Sequence, residues 1–194
     1  MTHEETQTRS FSPGPGGVLR LNWGCGEWTV PGWINSDIKE NAGVDLVADI
    51  REGLPLESDS IDYIVSIHSL PEIPFTDIVP TLAELRRVLK PGGVLRLALP
   101  DLDKGIEAYH RRDTAYFHVP DEDAKSLGAK FVTQMIWYGY SRSLFTHEFI
   151  QEQLERAGFA RVDHCTFQQT ASAHPEIVAL DNREGESLFV EGVK

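Results

Sequence analysis

The sequence has 194 residues, with 18 Lys plus Arg against 30 Asp plus Glu and a formal net charge of -12. This length fits one domain, and the acidic balance argues against duplex DNA or an anionic membrane as a partner, since both attract Lys and Arg. No run approaches the ~20 apolar residues of a membrane-spanning helix, and no secretory signal opens the chain. Its two cysteines, Cys25 and Cys165, suggest neither a disulfide framework nor a metal pair. We therefore expect a reduced, cytoplasmic protein.

The chain begins with a polar segment and continues with a strand-rich region. Residues 1–17 are rich in Gly, Pro, Ser and Thr, which predicts a disordered lead-in, with residues 18–194 forming a single domain. Five short apolar runs then recur, as expected of strands buried on both faces. They lie at residues 18–21, 33–36, 44–47, 61–67 and 94–99. A helical pattern over residues 78–89 separates the last two runs, which predicts a parallel pair with a right-handed crossover.

The second half of the chain departs from this rhythm. Residues 101–143 suggest two helices, which we interpret as an insertion after the fifth strand. Thr146 is a suitable N-cap for the helix that follows, and Gly158 closes that helix. Two more strands are predicted at residues 161–167 and 187–190. The pattern predicts a single α/β sandwich that carries an insertion.

Residues suited to ligand binding follow three consecutive predicted strands. The run Leu21-Asn22-Trp23-Gly24-Cys25-Gly26 ends the first strand, and its two glycines allow a sharp turn and close approach to a ligand. Asp37 ends the second strand, where a carboxylate could accept hydrogen bonds from a ribose. Asp49 and Ile50 follow the third, where they could accept from an adenine amino group and cover a ring face. Each feature alone could be a tight turn or a solvated acid, but together they favour a ligand site.

These motifs resemble those of class I S-adenosylmethionine-dependent methyltransferases, most closely small predicted methyltransferases whose first motif reads Leu-Asn-x-Gly-Cys-Gly. The run Glu84-Leu85-Arg86-Arg87-Val88-Leu89-Lys90-Pro91-Gly92-Gly93 is similar to another of the family's motifs. The resemblance implies a Rossmann-like three-layer sandwich with a mostly parallel seven-stranded sheet. It also implies S-adenosylmethionine as the cofactor and methyl transfer to a small-molecule or sugar-like acceptor.

The resemblance assigns roles to particular residues of this chain. Asn22, Gly24, Cys25 and Gly26 would lie under the methionine part of the cofactor, Asp37 would hold the ribose, and Asp49 with Ile50 would hold the adenine. His68, which leaves the fourth strand, would face the methyl-transfer site as a cofactor contact and candidate general base. The spacing of His, Cys, Asp and Glu predicts no metal site. The insertion would cap the acceptor with a dense set of aromatic residues: Tyr109, Tyr116, Phe117, Phe131, Trp137, Tyr138 and Tyr140.

Three departures from the family pattern affect the expected site. One is Pro71-Glu72 after the fourth strand, where the family frequently has a Glu-His pair that can lie near the acceptor. Many members have an acid where this chain has Asn22, which cannot form an ion pair with the cofactor's ammonium. The nine residues from Gly24 to Gly32 are too few for the usual parallel crossover, so the first helix should be reduced. One face of the sheet would then lack its cover. We expect Trp23, Trp28, Trp33 or a partner subunit in a homodimer to fill the gap.

Two other functions are alternatives to methyl transfer. A nicotinamide-dependent oxidoreductase would need a third glycine where this chain has Thr29, and an acid about 20 residues further on. Asp37 comes too early for that role. The stronger alternative is a non-catalytic protein of the methyltransferase fold that binds S-adenosylmethionine or S-adenosylhomocysteine and acts by interaction.

Overall fold

A seven-stranded sheet forms the centre of the molecule in the computed structural model, which describes residues 8–194. The strands are β1 (Arg20–Trp23), β2 (Ile34–Asp37), β3 (Leu46–Val47), β4 (Ile61–Ile67), β5 (Leu89–Pro100), β6 (Arg161–Cys165) and β7 (Ser187–Val193). Their order across the sheet is β3-β2-β1-β4-β5-β7-β6. The strand β7 is antiparallel to both of its neighbours, β5 and β6, and the other adjacent pairs are parallel. The predicted mostly parallel, Rossmann-like sheet is confirmed.

Two helices cover the first face of the sheet. They are α1 (Ile78–Val88) and α4 (His147–Arg156), which contact each other and bury apolar residues against the strands. Thr146 caps α4 as predicted, because its hydroxyl accepts a hydrogen bond from the Phe149 backbone at 3.2 Å. The main hydrophobic core lies between these helices and the sheet and includes Leu21, Leu82 and Leu95.

The second face lacks the usual first helix, as the short connection predicted. Residues 24–33 form turns without a helix. Trp33 covers this face: it is 8% exposed and its ring meets that of Tyr63 edge-on at 5.4 Å. Trp28 does not contribute, since it is 85% exposed, and Trp23 packs into the core on the first face. Of the three tryptophans considered, the structure therefore assigns this role to Trp33.

The rest of the second face is covered by residues 166–186, here called the C-terminal segment. Arg96, in the middle of β5, is fully buried and holds this segment in place. Its guanidinium donates to Asp181 Oδ1 at 2.7 Å, to Glu191 Oε1 at 2.7 Å and to the Thr166 backbone oxygen at 3.2 Å. Ile177 then packs with Trp33 and Tyr63 in a second core. The sandwich has three layers, but the third is this irregular segment.

The insertion after β5 forms a separate helical layer over the end of the sheet, here called the cap. It contains α2 (Leu102–Arg111) and α3 (Leu127–Ile136), two helices as predicted. Phe131 packs against Tyr109 and Phe117, with ring centroids 5.1 and 6.1 Å apart; Phe117 is buried, whereas Tyr109 is 40% exposed. No helix among residues 8–194 is long and apolar enough to cross a membrane.

The N-terminal lead-in is ordered over more of its length than its composition predicts. Residues 1–7 lie outside the described part of the chain. The Arg9 backbone donates to the Pro55 oxygen at 2.7 Å, and Phe11 packs against the main core. Order therefore begins before Val18. The reason is that one aromatic side chain buries apolar surface in a segment whose average composition is polar.

Candidate functional site

A cavity of about 590 Å³ opens where β1, β4 and β5 end. This volume lies within the range of small-molecule sites, roughly 300–1,000 Å³. Its walls are the turn Gly24–Gly26, the residues that leave β4, the cap and the C-terminal segment. The carboxyl ends of parallel strands are the usual ligand-binding edge of an open α/β sheet. The cavity therefore includes the glycine turn predicted after β1, whereas the residues predicted after β2 and β3 do not line it.

The glycine turn is fixed by its contacts with neighbouring strands. The backbone N–H groups of Gly24 and Cys25 both donate to the Ser36 oxygen, at 2.8 and 3.1 Å. Gly24 has a φ of +70°, and a Cβ there would lie 2.2 Å from Ser69 Oγ. Gly26 faces open space instead. The turn thus requires glycine at position 24 and leaves its backbone open to a ligand at position 26.

Cys25 lines the cavity as an unreactive thiol. Burial, reinforced by the charge of Asp37, raises the pKa of Cys25 to about 11. The thiol is therefore protonated near neutral pH and is not a nucleophile. We infer that Cys25 contributes to the site as a small, uncharged side chain between two glycines.

Asn22 also lines the cavity, but its amide group mainly supports the loop between β1 and β2. Its Nδ2 donates to the Trp28 backbone oxygen at 3.0 Å and to Asn35 Oδ1 at 3.2 Å. Asn35 Oδ1 in turn accepts from the Val30 backbone at 2.8 Å. This buried network stabilises the loop that replaces the usual helix between β1 and β2.

The acid at the end of β2 adjoins the glycine turn, as predicted. Asp37 Oδ2 accepts from the Gly26 backbone at 2.8 Å, and its Oδ1 accepts from the Lys39 backbone at 3.0 Å. Asp37 does not line the cavity itself but extends the site toward β2. Ile38 follows it and is 55% exposed, an apolar surface that the sequence reasoning missed.

Asp49 and Ile50, which follow β3, are less accessible to a ligand than the sequence predicts. Asp49 forms an ion pair with Arg51 at 2.5 Å, and the hydrogen bond from the Arg51 side chain lowers the pKa of Asp49. Ile50 is 5% exposed and belongs to the main core, so little of its side chain is available to cover a ligand ring in this structure. The short helical turn Ile50–Glu52, which Asp49 caps, directs this side chain inward.

His68 lines the cavity where β4 ends. Its backbone has a φ of 56°, and its Nε2 lies 2.8 Å from Ser187 Oγ. Burial, with a smaller contribution from the positive charge of Arg183, lowers the pKa of His68 to about 3. The imidazole is therefore neutral near pH 7. A pKa this low does not favour the general-base role expected from the sequence.

The cap contributes part of its predicted aromatic set to the cavity. Tyr116, Trp137 and Tyr140 line it, whereas Tyr109 and Phe131 pack against each other and do not line it. The Tyr116 hydroxyl is buried and has no hydrogen-bond partner among the described residues. Burial, followed by the charges of Asp101 and Glu186, raises the pKa of Tyr116 to about 12.

The C-terminal segment forms a wall that the sequence reasoning missed. Asp181, Arg183 and Glu186 line the cavity, and Arg183 pairs with Glu186 at 3.3 Å. The segment reaches this edge because β7 is antiparallel, so Ser187 at its start lies opposite Pro100 at the end of β5. The polar run directly before the last predicted strand was the available signal.

Glu72 is a further cavity residue without a predicted role. It ends the short helical turn Leu70–Glu72 after β4. Its side chain is open to the cavity, yet the surrounding protein still desolvates the carboxyl enough to raise the pKa of Glu72. Among residues 8–194, no group of three or more His, Cys, Asp or Glu could hold a metal ion.

Comparison with known proteins relates this architecture to methyltransferases. Residues 30–97 match the model of a family described as a methyltransferase domain. No curated protein matches the chain significantly. A Thermotoga maritima structure, a SAM-dependent methyltransferase and possible histamine N-methyltransferase, is 20% identical, covers 91% of this chain and 82% of its own, and has a TM-score of 0.58.

Two other solved structures give similar values. A Mesorhizobium loti S-adenosylmethionine-dependent methyltransferase is 19% identical, covers 94% of this chain and 93% of its own, and has a TM-score of 0.55. A chain from the complex of the Haloferax volcanii Trm112 methyltransferase activator with a methyltransferase is 17% identical, covers 94% of this chain and 84% of its own, and has a TM-score of 0.54. At these identities the likeness establishes the fold, which is that of class I methyltransferases, and not the activity.

Proposed function

We propose that the protein is an S-adenosylmethionine-dependent methyltransferase that acts on a small-molecule or sugar-like acceptor. The observation that carries this proposal is the cavity at the ends of β1, β4 and β5, with the turn Gly24–Gly26 in its wall. The methyltransferase fold and the family match over residues 30–97 support the same reaction class.

The residues present fit the proposed cofactor. The open backbone at Gly26 leaves room for a ligand where any side chain would project, and Gly24 permits the close turn beneath it. Asp37 and the exposed Ile38 extend this surface past β2, toward Asp49. We place the methionine part over the turn, the ribose at Asp37 and the adenine near Ile38 and Asp49. When bound, S-adenosylmethionine supplies a methyl group activated by its sulfonium.

The opposite half of the cavity suits an uncharged acceptor. Tyr116, Trp137 and Tyr140 offer aromatic surfaces against which a ring can pack. Arg183 is the one Lys or Arg side chain in the described wall, and Glu186 pairs with it. An anionic acceptor would therefore find no uncompensated positive charge. These features favour a neutral small molecule or a sugar-like ring over a carboxylate or phosphate.

The protein's own contribution is to orient the acceptor and exclude water. His68 lies between the glycine turn and the cap, and Ser187 fixes its ring. As a neutral imidazole it can hydrogen-bond an acceptor without carrying charge. We therefore assign His68 a positioning role at the transfer site in place of the general-base role.

Calorimetry with S-adenosylmethionine and S-adenosylhomocysteine tests the proposal. We expect both to bind the wild-type protein, and no binding of either at high micromolar concentration would refute it. Transfer of labelled methyl to a panel of neutral cyclic alcohols, amines and sugars then tests catalysis. The low pKa of His68 gives some support to the non-catalytic alternative. Binding without transfer to any acceptor would favour that alternative.

A further inference from the structure

We infer that Glu72 binds the ammonium group of the cofactor's methionine moiety, the charge for which Asn22 supplies no anionic partner. This inference rests on the proposed cofactor, and it names a residue that neither the sequence reasoning nor the comparisons assign.

Glu72 lines the cavity three residues after Ser69, whose hydroxyl donates to the Gly24 backbone oxygen at 2.7 Å. Its backbone N–H donates to the Ser69 oxygen at 3.1 Å. The Pro71 oxygen accepts from the backbones of Arg142 and Ser143, at 2.7 and 3.1 Å, which fixes this turn against the cap. The charges of Lys39, Asp37 and Arg142 act on its carboxyl. Glu72 therefore lies within electrostatic range of both the end of β2 and the cap.

The carboxylate of Glu72 has no ion pair or hydrogen bond within the described chain. The other acids of the cavity wall differ in this respect: Asp181 binds Arg96 at 2.5 Å, and Glu186 pairs with Arg183 at 3.3 Å. A partly desolvated carboxylate is stabilised when a positive charge approaches it. A ligand ammonium would supply that charge.

The groups on the other side of the glycine turn are already engaged. The Nδ2 of Asn22 donates to the loop, and its side chain is neutral. The backbone oxygen of Gly24 accepts from Ser69 Oγ at 2.7 Å. Glu72 is thus the unpaired anionic group that the described cavity wall offers beside the turn.

The test is calorimetry on Glu72→Gln with three ligands. S-adenosylhomocysteine carries the ammonium but no sulfonium, S-adenosylmethionine carries both, and 5′-methylthioadenosine carries neither. We expect the variant to bind the first two about tenfold more weakly than wild type, the scale of a hydrogen bond between charged groups. Binding of 5′-methylthioadenosine should be unchanged. Glu27→Gln is the matched control, because Glu27 is an exposed acid beside the turn that does not line the cavity, and it should bind all three ligands like wild type.

Each other outcome has a definite meaning. Unchanged affinity of Glu72→Gln for S-adenosylhomocysteine would overturn the inference while leaving the proposed function intact. A loss confined to S-adenosylmethionine would place the carboxylate at the sulfonium, and an equal loss with all three ligands would indicate a general disturbance; both overturn it. If wild type binds none of the three, the proposed function fails, and this inference fails with it.

Discussion

Gly24 shows how one position can be required both by its backbone and by its neighbours. Its φ is +70°, and a Cβ would lie 2.2 Å from Ser69 Oγ. Gly92 has a similar φ of +76° but open space around it. We expect Gly92→Ala to cost about 1–2 kcal/mol from backbone strain alone. Gly24→Ala should cost about 1–3 kcal/mol more, because Ser69 must also move. Urea denaturation measures both, and equal losses would contradict the close approach.

His68 gives a residue-scale prediction about pH. The ordinary pKa of 6.5 is lowered to about 3 in the folded protein. Between pH 6.5 and about pH 3 the unfolded chain binds more protons than the folded protein does. His68 therefore lowers the free energy of unfolding as the pH drops through this range, by at most ~1.4 kcal/mol per pH unit. His68→Asn removes the titration and tolerates the positive φ. Its unfolding free energy should therefore fall less than that of wild type between about pH 7 and pH 5. Identical pH dependence would show that His68 titrates normally.

At the scale of elements, the attachment of the C-terminal segment to β5 depends on Arg96. Arg96→Met would leave the carboxylates of Asp181 and Glu191 buried without a cation. Removing one partner from a buried ion pair lowers the free energy of unfolding by about 3–5 kcal/mol. We expect this loss in chemical denaturation. The triple variant Arg96→Met/Asp181→Asn/Glu191→Gln should recover much of it, and a triple variant no more stable than the single one would contradict this account.

The elements differ in how far the sequence could predict them. The strands up to β5 and the helices α1 and α4 carry local signals, namely apolar runs, helical spacing and the Thr146 cap. The C-terminal segment carries only a polar run before β7, which does not place it on the sheet, because Arg96 is a charge inside a strand and its partners Asp181 and Glu191 lie 85 and 95 residues away in sequence. The burial of the Ile50 side chain was not predicted for a related reason. Its place after β3 was predicted, but the direction of its side chain depends on a turn whose geometry the sequence pattern does not specify.

At the scale of the whole molecule, the chain itself supplies a cover for its second face. Trp33, Tyr63 and Ile177 form a core there, beneath the C-terminal segment. The homodimer considered from the sequence was one way to compensate for the reduced first helix. This core makes that compensation unnecessary, although a dimer through another surface stays a proposal. The predicted position of the ligand site did not depend on this question, because it follows from where the parallel strands end.

The net charge of -12 gives the remaining prediction. Residues 37–62, which include Asp37 and Asp49 of the proposed cofactor surface, hold eight acids and two bases. S-adenosylmethionine carries one more positive charge than S-adenosylhomocysteine, so an acidic surface should attract it more strongly when salt is low. Screening shortens the range of this attraction from about 30 Å at 0.01 M salt to about 3 Å at 1 M. As the salt concentration rises between these limits, calorimetry should show the affinity for S-adenosylmethionine falling about threefold or more relative to the affinity for S-adenosylhomocysteine. Parallel salt dependence of the two ligands would mean that the acidic surface does not act on the site, and that close contacts alone distinguish them.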